Sequence, residues 1–118
     1  MGSMNRVYLM GNLTHDPESR KVGEDSTVTN FGLAINEAYK NKNGEEVETT
    51  CFVDIVVWGA QALACEAYLK KGAPVLVEGR LQFERWEADG GVSRTRLRVK
   101  ADRVQFLGTR KAEPVEAG

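Results

Sequence analysis

Apolar and polar residues alternate with period two in five segments of this chain, and one further segment has a helical period. Residues 5–13 (NRVYLMGNL) put Val7, Leu9 and Leu13 on one face, with Gly11 marking a bulge or a close backbone approach. Residues 27–36 (TVTNFGLAIN) bring Phe31, Leu33 and Ile35 together. Residues 51–59 (CFVDIVVWG) place Cys51, Val53, Ile55 and Val57 on an inner face and Phe52, Asp54, Val56 and Trp58 on an outer one. In residues 74–86 (PVLVEGRLQFERW), Val75, Val77, Leu81 and Phe83 face in, while Leu76, Glu78, Arg80, Gln82, Glu84 and Trp86 face out. In residues 94–108, Leu97, Val99 and Ala101 face in, and a phase break near Asp102 and Arg103 predicts a bulge. The exception is AQALACEAYLKKG (60–72). It sets Ala60, Leu63, Ala64 and Ala67 on one helical stripe flanked by Tyr68, with Lys70 and Lys71 near the C-terminus and Gly72 as cap.

Between these elements lie a loop of turn formers (14–26), a polar connection with an Asn-Gly turn signal (39–48) and a hairpin loop (87–93). Three strands, a helix and two strands predict an all-β OB-fold: a five-stranded Greek-key barrel with one helix between strands three and four, plugging one end. One helix is too few for a parallel α/β layout. The 118 residues make one domain, expected over 4–108. Residues 1–3 (MGS) read as a cloning scar ahead of Met4, and 109–118 as the disordered start of a C-terminal tail with little to bury.

Composition narrows the function. Hydrophobic residues form 42% and charged residues 28%, as in a soluble globular protein. No apolar run approaches the roughly 20 residues of a membrane helix, and no secretion leader is visible, so a cytoplasmic protein with no membrane partner is expected. Cys51 and Cys65 read as reduced core residues; with the lone His15 they make no metal site, and no cofactor is expected. An enzyme is disfavoured, because His15 sits in a loop without a Ser–His–Asp setting and no Walker-type phosphate loop occurs. The net charge of −1 means that any basic surface must be local.

Such surfaces are found beside unexpected rings. Tyr39, Phe52, Trp58 and Trp86 all fall on a wet face or a loop edge near cationic side chains. Phe52 and Trp58 are six residues apart, roughly 20 Å along a strand, which spans several stacked bases. Arg94, Arg96, Arg98 and Lys100 form an unbroken outward stripe. A single outward Trp usually packs on a loop or partner, and a charged stripe is usually a solvated face. Four rings, each near a basic segment, instead point to single-stranded nucleic acid, with bases on the rings and phosphates on Arg and Lys. Asp54 opposes this, since it lies on the outer face between Phe52 and Trp58; a cross-strand Arg80 or Arg98 is its natural partner.

NRVYLMGNLTHDPESR, YLKKGAPVLVEGRL, ERWEADGG and VQFLG, in this order, resemble bacterial single-stranded DNA-binding proteins of the replication SSB family, over about Asn5 to Gly108. The resemblance implies an OB-fold homotetramer that binds single-stranded DNA non-catalytically in replication, recombination and repair. It puts base stacking on Tyr39, Phe52, Trp58 and Trp86, with Tyr39 and Phe52 standing where several members have Trp. It puts phosphate contacts on Arg6, Arg20, Lys42, Lys71 and Arg85, to which the outward faces add Arg80, Arg94, Arg96 and Arg98. Members usually end in an acidic tip that recruits replication and repair proteins; this chain ends in EPVEAG, which reads as a truncation. A nucleoid-associated protein is then expected. Two alternatives remain: a primosome-type accessory protein on the same fold, and an OB-type protein–protein adaptor whose rings fill an interface.

Overall fold

The computed structural model describes residues 2–108, so the expected tail at 109–118 lies outside the described residues. The elements are β1 (Val7–Leu13), β2 (Glu18–Val22), β3 (Ser26–Lys40), β4 (Glu46–Trp58), α1 (Ala60–Tyr68), β5 (Pro74–Glu87) and β6 (Ser93–Phe106). The strands neighbour one another in the order β1-β5-β6-β4-β3, and β3 returns to β1 through Asn12↔Ala34 and Leu13↔Leu33, which closes a five-stranded barrel. All pairings are antiparallel except β4–β6, joined at Ile55↔Val99 and Val56↔Lys100. The helix lies between β4 and β5, as expected of an OB-fold.

The sixth strand, β2, falls in the segment expected to be a loop. It pairs only with β3, from Glu18↔Asn30 to Val22↔Ser26, through a turn in which Gly23 takes φ 73°. Its sequence, ESRKV, shows no alternation because backbone hydrogen bonds to β3, not burial of one face, hold it there. The connection at 39–48 is likewise mostly ladder, since β3 and β4 stay paired out to Lys40↔Glu46. Beyond the barrel both faces of this hairpin are wet, so alternation disappears from its sequence. Asn41 ties its tip, Oδ1 accepting from the backbone N–H of Asn43 and Glu45.

Inside the barrel stand Leu13, Phe31, Leu33, Ile55, Val57, Val75, Val77, Val99 and Ala101. Helix α1 closes one end with Ala62 and Cys65, not with the expected stripe, and Leu63 and Tyr68 are exposed. Small residues on every side leave the helix rotation undecided by hydrophobicity; polar contacts decide it. The buried Thr29 hydroxyl donates to the Ala62 carbonyl (2.8 Å), and Gln61 both donates to the Asp102 carbonyl and accepts from the Val104 N–H. The helix ends at Tyr68, where Leu69 turns extended, so Lys70 and Lys71 lie beyond its last turn. Burial pushes the Cys65 thiol up to about 11, which keeps it protonated and unreactive. Cys51, expected inside, is exposed, because β4 has left the barrel wall at that point.

The same overhang corrects three more inward assignments. Leu81, Phe83 and Leu97 share the inner face of β5–β6 but are exposed, because these strands run past the end of the barrel. The bulge expected near Asp102 and Arg103 is present: Glu78 pairs with Arg103 and Gly79 with Ala101, leaving Asp102 unpaired. Gly79 is needed there, because a Cβ would run into the Lys100 carbonyl oxygen. Gly11 makes the close approach expected of it, against the carbonyl of Ala34. Gly79→Ala is expected to destabilise the fold by about 1–3 kcal/mol in chemical denaturation, since the obstacle is backbone that cannot rotate away; an unchanged midpoint would show that the bulge relaxes freely.

Candidate nucleic-acid interface

The buried Ile55 and Val57 determine which way β4 presents its other side chains. Phe52 is 71% exposed and Trp58 43%, both on the outer face. Tyr39 (55%) stands on the β3–β4 hairpin opposite Val47, and Trp86 (43%) on the β5–β6 hairpin opposite Arg94. All four rings are therefore solvent-facing. The Arg96 guanidinium lies 5.2 Å from the Trp86 ring centre, a cation–π contact that holds the ring's orientation.

The cationic stripe is not unbroken. Glu84 accepts from Arg96 Nε (2.6 Å) and from an Arg98 terminal nitrogen (2.7 Å). Arg98, its side chain only 13% exposed, also donates to Asn30 Oδ1 (3.2 Å), and its buried Nε has no partner. Arg98, and then Arg96, hold the Glu84 carboxyl below its ordinary range by hydrogen bonding. A depressed carboxylate stabilises the fold above its unfolded pKa, and that contribution is lost as pH falls through the lowered folded value. The clamp is thus intact at neutral pH.

The other cations are dispersed. Arg6 pairs with Asp102 (2.8 Å) and lies over the Tyr8 ring (5.8 Å). Arg85 lies over Phe83 (6.0 Å), on the hairpin face opposite Trp86. Lys42 sits at the tip of the β3–β4 hairpin, and Arg80 is exposed on β5 opposite Lys100. Lys71 follows the helix, its backbone N–H donating to Asp16 Oδ1 (2.8 Å). Arg94 is exposed beside Trp86.

Arg20, Arg96 and Arg98, far apart in sequence, converge on one cavity of about 340 Å³. Its remaining lining includes His15, Glu18, Asn30 and Asp54. Asp54 makes no ion pair among the described residues; of the two partners expected for it, Arg98 is taken by Glu84 and Asn30, and Arg80 stands on β5 opposite Lys100 without reaching it. The sequence does not bring Glu18 or His15 to this site, because β2 and the turn before it read as a loop; Asn30 lies on the predicted second strand, where alternation alone gives it no partner. Sequence reasoning also misses the exposed apolar residues Tyr8 and Met10 on the outer face of β1. Their signal is present in the alternation, since Val7 and Leu9 face in. No helix among the described residues is long and apolar enough to cross a membrane.

Residues 4–107 match the model of the Single-strand binding protein family. Single-stranded DNA-binding protein 2 of Chlorobaculum tepidum is 41% identical over 112 residues, which cover 94% of this chain and 76% of that protein. The single-stranded DNA-binding protein of Helicobacter hepaticus is 37% identical over 90% of this chain and 62% of its own length. The chain thus spans between three-fifths and four-fifths of these relatives. Among solved structures, a deletion mutant of the single-stranded DNA binding protein from Thermus aquaticus superposes with a TM-score of 0.80 at 31% identity, covering 91% of this chain and 52% of that one. The Plasmodium falciparum SSB in complex with single-stranded DNA gives 0.81 at 26% identity, covering 92% and 98%. With a family model matching nearly all of its described residues, this chain belongs to the single-strand binding protein family.

Proposed function

We propose that this chain coats and protects single-stranded DNA during replication, recombination and repair, as a homotetramer, largely without sequence preference. Proteins of the family are non-catalytic DNA-binding proteins. The observation that carries the reading is the pair Phe52 and Trp58, exposed on one face of one strand at a spacing of several bases. Tyr39 and Trp86 extend this surface onto the two hairpins. Each stacked base contributes roughly 1–3 kcal/mol, and every base offers a π-face, so stacking tolerates any sequence. Phosphate contacts come from Arg20, Lys42, Lys71, Arg80 and Arg94 directly. Arg6, Arg85, Arg96 and Arg98 already hold a carboxylate or a ring and contribute less.

Assembly has its own surfaces. Val7–Gly11 of β1 pair with β5 on one side only, and Tyr8 and Met10 are exposed on the same strand. Leu81, Phe83 and Leu97 form a second apolar patch on the β5–β6 overhang. Two separate patches suit a tetramer built as a pair of dimers. Linked barrels raise the effective concentration of each successive site, so avidity exceeds the affinity of one barrel.

Titration with oligothymidylate, followed by tryptophan fluorescence, tests the reading. Quenching at sub-micromolar protein supports stacking, whereas an unchanged signal supports a protein–protein adaptor. Trp58→Ala is expected to cost roughly 1–3 kcal/mol of binding with the fold intact; loss of folding would make Trp58 a core residue. Glu84→Gln is expected to tighten binding several-fold and to steepen the salt dependence by roughly 0.7 log units for each additional phosphate engaged. An affinity and slope like the parent's would mean that Arg96 and Arg98 serve only the clamp. Tyr8→Glu combined with Met10→Glu is expected to lower the sedimentation coefficient of the assembly, and an intact tetramer would place the subunit contact elsewhere.

A further inference from the structure

Between the rings Phe52 and Trp58, Asp54 is the outer-face side chain of β4 that works against a DNA backbone. It stands two residues beyond Phe52 and four before Trp58, on the path that stacked bases would follow. It is exposed, and it makes no ion pair among the described residues. Its cavity, about 340 Å³, falls within the roughly 300–1,000 Å³ of small-ligand pockets. The wall is mixed: Glu18 and Asp54 supply acceptors, and Arg20 and Arg96 supply donors. Two of the three lining guanidinium groups, those of Arg96 and Arg98, already donate to Glu84, so Glu18 and Asp54 are not outweighed and phosphate finds a poor seat.

A nucleobase edge fits such a wall better, because it presents donors and acceptors side by side. Guanine places N1–H and the N2 amino group in parallel, which a carboxylate accepts through both oxygens. Its O6 and N7 remain for a guanidinium, the commonest Arg–base pairing. Adenine and cytosine offer a carboxylate one amino group. Thymine offers a single N–H flanked by two carbonyl oxygens that repel it. Unpaired bases in single strands are commonly read on these edges.

We infer that the Asp54 cavity, between Phe52 and Trp58, is a guanine-preferring subsite within an otherwise sequence-tolerant surface. The inference rests on the single-stranded DNA reading. One nucleotide per barrel turns its base into the cavity while its neighbours stack on the rings.

The test compares three fifteen-nucleotide thymidylate oligomers at fixed salt: unmodified, with one central deoxyguanosine, and with one central deoxyinosine, which lacks the N2 amino group. Guanosine is expected to bind about tenfold tighter than thymidine, as one good bidentate contact provides. Inosine is expected to fall between them. Asp54→Ala should bind unmodified oligothymidylate more tightly than the parent, because a charge facing the backbone is gone, and should lose the guanine advantage. If all three oligomers bind the parent within a factor of two, the subsite is refuted while DNA binding stands. If the guanine advantage persists in Asp54→Ala, its assignment to Asp54 is refuted. If no oligomer binds, the single-stranded DNA reading falls and the subsite with it.

Discussion

The structure depends on filling a narrow barrel with every second side chain of its strands. Ile55 and Val57 are fully buried, as are Leu33, Val75 and Val77. Once they are inside, the pleat turns Phe52, Asp54 and Trp58 outward to solvent, and of the four residues expected on that outer face only Val56 is covered. A one-residue slip of β4 would bury the rings and expose the core, so the packing that stabilises the fold also presents the rings. Burial of each such aliphatic side chain is worth about 1.5–3 kcal/mol.

Charge is arranged by a second constraint. The hairpin β5–β6 extends beyond the barrel and must stabilise itself without a core beneath it. Glu84 does this by joining Arg96 and Arg98 across the two strands, and Arg98 continues the chain of contacts to Asn30 on β3. The same contacts withdraw two cations from the solvent-facing stripe. A local −1 on the hairpin therefore trades hairpin order against attraction for a polyanion, and an arriving phosphate must compete with Glu84 for Arg96.

Much of this is legible in the residues. Alternation locates the five barrel strands, the bulge beside Asp102 and the outward rings, because burial on one face only leaves a period-two signature. It does not show where a strand leaves the barrel. Leu81, Phe83 and Leu97 keep the pattern of a core while standing in solvent, and Cys51 does the same on β4. Strand β2 is invisible in the sequence because backbone pairing leaves no apolar trace. The helix face is misassigned by periodicity because Ala and Cys fit any side, and Thr29 and Gln61 choose it through hydrogen bonds. The partners of the arginines are hidden for a related reason: Glu84 meets Arg96 and Arg98 across a ladder whose register depends on the bulge.

Whether the exposed rings are seats for bases is read by photocrosslinking the protein to oligothymidylate carrying single 5-iododeoxyuridines, with attachment sites mapped by mass spectrometry. Crosslinks are expected at Phe52, Trp58 and Trp86, with Tyr39 joining as the oligomer lengthens. Crosslinks confined to Tyr8, Phe83 or other residues away from these four, with efficient binding, would contradict that role.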